Sequence, residues 1–455
     1  MSDATTTDIP VDLESKRLTV TRPDIRFDKQ GELGDDERVQ KAMQHFAKDF
    51  GYIAANYMEA CVHCGACAQA CPFYEANPDP KLTPIWKLEP FKQAYKREAG
   101  PLSFFYKTLN LKSKVTIEQL EEWQELLYDT CTMCGRCTLV CPMSIDIATL
   151  VGMARHGMFH AGLVPHELYT VTEKAEREGS PLGATPKVFA DRVEWMEDEH
   201  EVDMPLDADK ADVLVLMSSI EIQKYPESMA ATGKILNQMG KSWTFHTEGY
   251  EATNFGMLSG NTQWQKDMTM KIISTAEKIG AELVILPECG HAYQALRWQG
   301  ANMLGRPLPF KVQHISEFLA EAVESGAIRV NKVDKSVAFH DPCQVSRRGG
   351  ATPAPRKILE ALGVELREPE STGNLNFCCG GGGGVITIHR ADSLRYKIMG
   401  NKLEQLDATG AEMMVTSCSN CRQNFDDSGE KLHWDKQMNS LLELVAENLV
   451  EDTKS

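Results

Sequence analysis

Eight of the fourteen cysteines in this sequence form two copies of one motif. The copies, CVHCGACAQACP and CTMCGRCTLVCP, each have three cysteines at intervals of three positions, then a fourth cysteine and a proline. This spacing is typical of ligands to [4Fe–4S] cubes, because three closely spaced thiolates can hold three irons while the fourth thiolate comes from elsewhere. A pair of zinc knuckles is the alternative.

In two-cluster ferredoxins, the last cysteine of each motif binds the cluster of the other motif. That rule assigns the first cube to Cys61, Cys64, Cys67 and Cys141. It assigns the second cube to Cys131, Cys134, Cys137 and Cys71.

A second set of cysteines is dispersed over the last third of the chain. Cys343 lies in HDPC, Cys378 and Cys379 precede five glycines, and Cys418 and Cys421 form a Cys-x2-Cys pair. Two adjacent thiolates reach one tetrahedral ion poorly, whereas they can bind different irons of a larger cluster. The glycines would let backbone N–H groups approach it. The alternatives are a zinc site made from four of these cysteines, or a flexible glycine turn beside two buried cysteines.

Three more residues are candidates for the same site. Cys289 and His291 lie in a loop equivalent to the one that carries Cys418, so they either flank the cluster or belong to a structural loop. His340, close to Cys343, could donate a proton to a departing thiolate, or it has only a hydrogen-bonding role in its loop.

The elements that must position these residues change character along the chain. We predict a mobile tail at residues 1–37, a helical region at 38–190 and an acidic linker at 191–209. From residue 210, apolar runs of strand length alternate with helices, which predicts parallel α/β units. AELVILPECGHA and AEMMVTSCSNCR resemble each other, so we predict a duplication with units at 210–330 and 331–455. Ligands of such units bind beyond the carboxyl ends of the strands, where these cysteines fall.

Composition limits the partners. With 48 basic and 65 acidic residues, the chain carries a formal charge of −17, which disfavours nucleic acid and anionic lipid. The N-terminus does not resemble an export signal, and no apolar run approaches the ~20 residues of a membrane span. We therefore expect a cytoplasmic protein, attached to the inner face of a membrane only through partner subunits.

The pattern of Cys343, the CCG tripeptide and the final Cys-x2-Cys resembles the CCG domain of heterodisulfide reductase B and D subunits. This domain also occurs in the iron–sulfur subunits of anaerobic glycerol-3-phosphate and glycolate dehydrogenases. The layout over about residues 40–450 is similar to the D-subunit class and, within it, to the K subunits of dissimilatory sulfite reduction membrane complexes. The implied fold class is α+β multidomain, with an all-α two-cluster [4Fe–4S] ferredoxin domain followed by tandem α/β CCG domains.

The resemblance also implies a third cofactor, a non-cubane [4Fe–4S] cluster in the second CCG domain. Its implied ligands are Cys343, Cys378, Cys379, Cys418 and Cys421. The first repeat departs from the two-cluster B subunits, because it has Cys289-Gly-His-Ala where they have Cys-x2-Cys. It is therefore a degenerate CCG domain without a full set of thiolates.

The implied function is that of an oxidoreductase acting on sulfur groups. Electrons would pass through two cubanes to the third cluster, where a disulfide or a related sulfur-carrier substrate is reduced or formed. The implied partners are a quinol-linked cytochrome b-type membrane subunit or a flavoprotein, and a small thiol or sulfur-carrier protein as substrate. The alternatives are an electron relay for a quinone-linked 2-hydroxy-acid or glycerol-3-phosphate dehydrogenase, and a zinc-stabilised scaffold.

Overall fold

The computed structural model describes residues 28–98, 100, 102–111 and 114–450. In this part of the chain, the N-terminal region is helical, as predicted. Its helices are α1 (Asp35–Ala60), α2 (Ala66–Gln69), α3 (Pro72–Ala76), α4 (Glu89–Glu98), α5 (Ser103–Thr108), α6 (Ile117–Gln124), α7 (Arg136–Leu139), α8 (Ile147–His160), α9 (His166–Glu178) and α10 (Pro186–His200).

Helices α1 and α8 form the main framework of this region. Three acidic residues in the first turn of α1, Asp35, Asp36 and Glu37, favour its start through the helix dipole. Gly157 lets α8 approach closely, because a Cβ at this position would lie 2.5 Å from the carbonyl oxygen of Ala42. The two helices, one directly before the first cysteine motif and one shortly after the second, are thereby fixed against each other.

Two parallel four-stranded sheets follow the helical region. The first unit contains β1 (Val213–Val215), α11 (Ser219–Lys224), α12 (Glu227–Gln238), β2 (Trp243–Thr244), α13 (Phe255–Ser259), α14 (Thr262–Ile279), β3 (Leu283–Leu286), α15 (Gly290–Tyr293), α16 (Gly300–Leu304), β4 (Lys311–His314) and α17 (Ile315–Glu324). The second contains β5 (Ser336–His340), α18 (Pro353–Ala361), β6 (Glu365–Leu366), α19 (Asp392–Asp407), β7 (Met413–Thr416), α20 (Ser419–Lys431), β8 (Met438–Ser440) and α21 (Leu441–Glu447).

The two sheets have the same topology. Their strand orders are β2-β1-β3-β4 and β6-β5-β7-β8, and all the pairings are parallel. The predicted fold class is confirmed. The shared order supports a duplication, whose exact domain bounds stay a prediction.

The regions share their hydrophobic cores. One buried cluster joins Val215 and Phe245 of the first sheet region to Phe339 and Val415 of the second. Another joins the helical region to residues after the CCG tripeptide, including Ile398. Loops from all three regions are therefore held in fixed register, which is a requirement for a site made from several of them.

Two segments differ from the sequence prediction. The first half of the predicted acidic linker is the end of α10, where Phe189, Val193 and Met196 are buried on one face while the charged residues occupy the other. The prediction rested on the acidic content of this segment. It overlooked that the apolar residues between the charges have helical spacing, which indicates an amphipathic helix. Residues 1–27 of the predicted tail lie outside the described residues, and Gln30 already packs on the main body, with its N–H 2.8 Å from the carbonyl oxygen of Gly162.

Within the described ranges, no helix combines the length and apolar character needed to cross a membrane.

Candidate iron–sulfur sites

The two ferredoxin-type motifs have the same backbone course. His63 and Met133, each just before the second cysteine of its motif, have φ of 55° and 53°. Gly65 and Gly135, just after that cysteine, have φ of 80° and 75°, in a region that favours glycine. A short helix follows each glycine, so that the third cysteine of the motif turns back towards the first.

The structure brings the eight cysteines together as two groups of four. One cavity is lined by Cys61, Cys64, Cys67 and Cys141. A second cavity is lined by Cys71, Cys131, Cys134 and Cys137. Each group takes its fourth cysteine from the other motif, which is the grouping that the crossing rule predicts; ligation itself stays a prediction.

The surroundings of both groups fit iron–sulfur clusters better than free thiols. Ile147 lines both cavities, and Ile85 and Ile145 line the first. Burial, followed by the neighbouring cysteines, raises the pKa of Cys67 and takes that of Cys137 well above its usual range. Four thiolates can share such a space only when a metal cluster compensates their charge and displaces their protons.

One buried cation beside the second group was not predicted from the sequence. Lys87 is 1% exposed, its Nζ donates a hydrogen bond to the carbonyl oxygen of Thr130, and its charge lowers the pKa of Cys71 against the larger effect of burial. It lies in the proline-containing connection between the motifs, where charged side chains are usually exposed. Its burial there depends on tertiary contacts that the sequence does not show.

The five CCG cysteines also come together: Cys343 follows β5, Cys378 and Cys379 lie between β6 and α19, and Cys418 and Cys421 lie at the start of α20 after β7. The Sγ atoms of Cys379 and Cys421 are 3.6 Å apart, and the N–H of Gly380 lies 3.4 Å from Cys378 Sγ. Hydrogen bonds from Cys378 and Cys421 lower the pKa of Cys379 most, and one from the N–H of Gly381 adds to their effect. The glycine run therefore directs N–H groups at the two adjacent cysteines.

Adjacent Cys378 and Cys379 face different neighbours. Cys378 groups with Cys343, and Cys379 groups with Cys418 and Cys421. Hydrogen bonds from its cysteine neighbours take the pKa of Cys379 well below its usual range, and a hydrogen bond from Cys421 lowers the pKa of Cys418 to about 7. This divergence is the arrangement expected when neighbouring thiolates serve different irons of one cluster.

The ferredoxin motif and the CCG set are in direct contact. Thr132, in the second ferredoxin motif, has its Oγ1 3.3 Å from Cys378 Sγ. Cys134 of the same motif belongs to the buried group of Cys343 and Cys378. Gln344 Nε2 donates to the carbonyl oxygen of Met133 at 2.9 Å, which fixes the loop after Cys343 to the motif.

Arg347 and Arg155 hold this junction. Arg347 Nη1 donates to the carbonyl oxygen of Cys134 at 2.9 Å. Arg155 is fully buried and donates to the carbonyl oxygens of Cys131 at 2.7 Å and Gly383 at 2.6 Å. Neither role could be predicted from the sequence, because the acceptors are backbone atoms remote along the chain.

His340 lies nearer to Cys379 and Cys421 than its sequence position suggests. One of its ring nitrogens lies within 4.8 Å of both Sγ atoms. Burial, and then the charge of Lys402, takes the pKa of His340 well below its usual range, so the ring is neutral. Its Nδ1 is buried and has no hydrogen-bond partner among the described residues.

The Cys289 loop also reaches the CCG set. A hydrogen bond from Cys421 lowers the pKa of Cys418 most, and a hydrogen bond from the N–H of Gly290 lowers it further. Burial raises the pKa of Cys289, and the charge of Cys418 adds a smaller increase. His291 Nε2 accepts a hydrogen bond from the N–H of Gly383 at 3.4 Å, and burial lowers the pKa of His291 to about 4. Both residues of the degenerate repeat therefore border the site; their roles stay predictions.

Lys402 is a second buried cation that sequence reasoning missed. It is fully buried on α19, its Nζ lies 3.3 Å from Asn376 Oδ1, and burial lowers its pKa to about 8 while Asp341, Cys379, Cys378 and Cys421 raise it. A signal was present in the sequence, because Leu394, Ile398, Lys402 and Leu406 recur every four residues. A lysine inside an apolar helical stripe indicates a buried charge and therefore a candidate functional residue.

Three buried carboxyl groups lie between the two α/β units, beside Cys289. Burial raises the pKa of Glu221 and of Glu251 to about 7 each, and it takes that of Glu288 well above its usual range. The N–H of Glu288 donates to Glu221 Oε1 at 3.2 Å, and Thr253 N–H donates to Glu251 Oε1 at 2.7 Å. At neutral pH this group can hold protons close to the CCG site.

Comparison with known proteins agrees with this geometry. A family described as "4Fe-4S dicluster domain" matches residues 57–145, and one described as "Cysteine-rich domain", CCG, matches residues 337–426. The chain is thus an iron–sulfur protein that combines a dicluster ferredoxin domain with a CCG domain.

Relatives that match most of this chain narrow the class of iron–sulfur protein. The chain is 27% identical over 410 residues to the D subunit of dihydromethanophenazine:CoB–CoM heterodisulfide reductase from Methanosarcina mazei, covering 87% of this chain and 95% of that protein. It is 26% identical over 450 residues to Hdr-like menaquinol oxidoreductase iron–sulfur subunit 2 of Archaeoglobus fulgidus, covering 87% and 80%. EtfAB:quinone oxidoreductase of Syntrophomonas wolfei is 27% identical over 402 residues, covering 82% of this chain and 55% of that protein. The protein is a homologue of heterodisulfide reductase D subunits, as the sequence resemblance predicted.

Proposed function

We propose that this chain is the electron-transfer and catalytic iron–sulfur subunit of a heterodisulfide-reductase-like complex, in which electrons pass through two cubanes to a CCG-site cluster that reduces or forms a disulfide or a related sulfur-carrier substrate. The observation that carries the proposal is the contact between the second ferredoxin motif and the CCG cysteines, with Thr132 Oγ1 3.3 Å from Cys378 Sγ. When bound, the clusters would supply one-electron carriers and, in the CCG site, iron that can bind sulfur.

The order of the sites follows from their exposure. Cys64, in the first group, is exposed, and Val62 and Met143 beside it are 61% and 46% exposed. The second group has no exposed cysteine, with two buried and two half-buried, and all five cysteines of the CCG set are buried. An exposed apolar rim around the first group suits docking of an electron-donating partner, for which a cytochrome b-type quinol-linked subunit or a flavoprotein is our proposal.

The chain's own residues account for the proton requirement. Reduction of a disulfide takes two electrons and two protons and yields two thiols. Lys402, with its pKa near 8, and Glu221 and Glu251, with pKa values near 7, can hold protons at neutral pH close to the CCG cysteines. His340 is neutral and can offer only a ring N–H to a leaving thiolate.

The first test is the content of iron, acid-labile sulfide and zinc per chain in anaerobically purified protein. About twelve irons would support three four-iron clusters, the third of them in the CCG site. About eight irons with a zinc bound to sulfur would mean that the CCG cysteines hold zinc, and the catalytic part of the proposal would be wrong.

A variant tests the separation of transfer from catalysis. Cys379→Ala should abolish disulfide reduction while the EPR signals of the two reduced cubanes remain. Cys289→Ala tests separately whether the buried thiol of the degenerate repeat, which borders the site, takes part in the reaction. Loss of the cubane signals in Cys379→Ala would contradict separate sites.

The second candidate function is a pure electron relay in a quinone-linked dehydrogenase. It is favoured by the similarity to a protein named EtfAB:quinone oxidoreductase. Dithionite-reduced protein distinguishes the two functions. A catalytic subunit is reoxidised by disulfide substrates in a reaction that Cys379→Ala removes, whereas a relay is reoxidised equally in both proteins.

A further inference from the structure

A group of large apolar side chains lies exposed on the helical region. Its members are between 54% and 71% exposed: Leu102, Phe104, Phe105, Leu109 and Leu111. None of the six residues of α5 is buried, although two of them are phenylalanines. Exposing this many neighbouring apolar side chains to water is unfavourable, and such surfaces usually bind a partner or a membrane. We call these five residues the apolar patch.

The backbone that carries the patch has a defined turn at the end of α5. The N–H groups of Asn110 and Leu111 donate to the carbonyl oxygens of Lys107 and Tyr106, at 3.4 and 3.2 Å. Asn110 has a φ of 49°, and together with these two bonds it forms a common hydrogen-bonded end of a helix. Leu109 and Leu111, on either side of Asn110, are therefore presented by a hydrogen-bonded turn.

Contacts of α4 place the patch near the first cysteine group. Lys96 Nζ, in the last turn of α4, lies 3.5 Å from Oε1 of Glu59, which is two residues before Cys61. Arg97, the next residue, donates from Nη1 to Asn110 Oδ1 at 3.3 Å. The turn after α5 is therefore close to the end of α1, where the first ferredoxin motif begins.

The charge of this segment is opposite to that of the chain. Residues 91–114 contain six basic residues and one acidic residue, whereas the whole chain has 48 basic and 65 acidic residues. Lys107, within α5, and Lys114 are exposed. A negatively charged surface therefore attracts this segment and repels most of the remaining chain, so that binding has one preferred orientation. The net charge, which disfavours anionic lipid for the chain as a whole, does not describe this segment.

The combination of side chains fits a lipid surface better than a second protein. Lysine is depleted in protein–protein interfaces, where its charge loses water. At a bilayer surface, phenylalanine and leucine enter the boundary between headgroups and acyl chains, while the long lysine side chain keeps its ammonium group among the phosphates. Lys107 lies two residues after Phe105 in the same helix, so α5 presents both kinds of side chain together.

We propose that the apolar patch, with Lys107 and Lys114, binds the surface of a bilayer that contains anionic lipids. The two phenylalanines are inserted below the headgroups, and the lysines contact lipid phosphates. Binding in this orientation brings the first cysteine group near the membrane surface, where the quinol-linked donor of the proposed function would deliver electrons. The binding itself does not depend on the reaction at the CCG site, so its test is separate from the tests of the proposed function.

The experiment uses full-length, anaerobically purified protein with its iron intact and without partner subunits. The protein is mixed with vesicles of phosphatidylcholine that contain about 30% phosphatidylglycerol, at about 0.1 M salt, and flotation gives the ratio of bound to free protein. We expect binding to these vesicles and weaker binding to pure phosphatidylcholine. The double variant Phe104→Ser/Phe105→Ser should lower the ratio by about tenfold or more, because the side chains that enter the bilayer are removed.

A second double variant tests the charge. Lys107→Gln/Lys114→Gln should lower the ratio with anionic vesicles by about tenfold and leave the ratio with pure phosphatidylcholine unchanged. The control is Trp195→Ser, which removes an exposed aromatic side chain from α10, in a stretch that is rich in acidic residues. This control should bind as the wild type does. The iron content per chain verifies that each variant has folded.

Two results would overturn the proposal: wild-type protein that does not bind the anionic vesicles, or binding that the phenylalanine double variant retains in full. Attachment to membranes only when a membrane subunit is present would assign the apolar patch to a protein partner and would also overturn the lipid contact. If the phenylalanine variant loses its iron, the lysine variant decides instead, and unchanged binding of that variant to anionic vesicles overturns the proposal.

Discussion

At the scale of single residues, buried charge distinguishes the CCG site from an ordinary protein core. Lys402 is fully buried. Burial lowers its pKa, and the charges of Cys378, Cys379 and Cys421 are among those that raise it again. Desolvation makes a buried ammonium costly unless negative groups compensate it, and a thiolate-bound cluster would supply them. The lysine and the cysteines therefore stabilise each other's charged forms.

Lys402→Met should make the CCG-site cluster harder to reduce. Removal of one positive charge at a distance of several ångströms costs about 1–2 kcal/mol, so the midpoint potential should fall by on the order of 50–100 mV. EPR-monitored redox titration measures this shift. Lys431→Met is the control, because that lysine is exposed at the end of α20. An unchanged potential in Lys402→Met would mean that Lys402 does not sense the cluster's charge.

At the scale of elements, the packing of α1 on α8 connects the cysteine motifs to the rest of the molecule. Gly157 lies directly against the carbonyl oxygen of Ala42 on α1. The first ferredoxin motif follows the end of α1, and the second precedes the start of α8. Because protein interiors are closely packed, a methyl group added at this contact cannot be absorbed without movement of the backbone.

Gly157→Ala should lower the apparent unfolding midpoint, with a loss of about 1–3 kcal/mol. Gly400→Ala is the matched control, because Gly400 is also inside a helix and its added Cβ would meet nothing within 4 Å. Alanine there should raise stability by about 0.5–1 kcal/mol through its better helix propensity. Anaerobic thermal unfolding followed by circular dichroism compares the two. Equal effects would contradict a special close contact at Gly157.

At the scale of the whole molecule, the buried carboxyl groups between the two α/β units couple stability to pH. The folded-state pKa values of Glu221 and Glu251, about 7, are raised from the ordinary glutamate value of 4.5. Between about pH 4.5 and 7 the folded state therefore holds protons that the unfolded state has lost. The contribution of these two carboxyl groups to the free energy of unfolding is therefore complete below the unfolded-state pKa, and it is lost as the pH rises through the folded-state pKa.

Glu251→Gln should flatten this decline, because a carboxamide stays neutral at every pH. The expected gain at pH 8 relative to pH 5 is at most on the order of 3 kcal/mol for one carboxyl group. Urea unfolding midpoints at the two pH values give the difference, and Glu282→Gln, at an exposed position, is the control. A decline in Glu251→Gln as steep as in the wild type would show that this carboxyl group does not titrate in that range.

Local patterns in the sequence were sufficient to predict the class of cofactor and the fold class. The spacing of the cysteines within CVHCGACAQACP and CTMCGRCTLVCP can be read from twelve consecutive residues, and it matches the spacing of thiolates that bind one cube. The alternation of strands and helices after residue 210 is also a local pattern. Acidic content alone misplaced the linker, since the buried face of α10 shows only in its helical spacing.

The contacts between the sites, in contrast, depend on the tertiary structure. The contact of Thr132 with Cys378 joins residues 246 positions apart, and the hydrogen bond of Gln344 to Met133 joins residues 211 positions apart. Such pairs depend on which helix faces and loops pack together, and that packing is the sum of many weak contacts spread over the whole chain. No short stretch of sequence contains it, whereas the distance between two cysteines in a motif is set by the covalent chain.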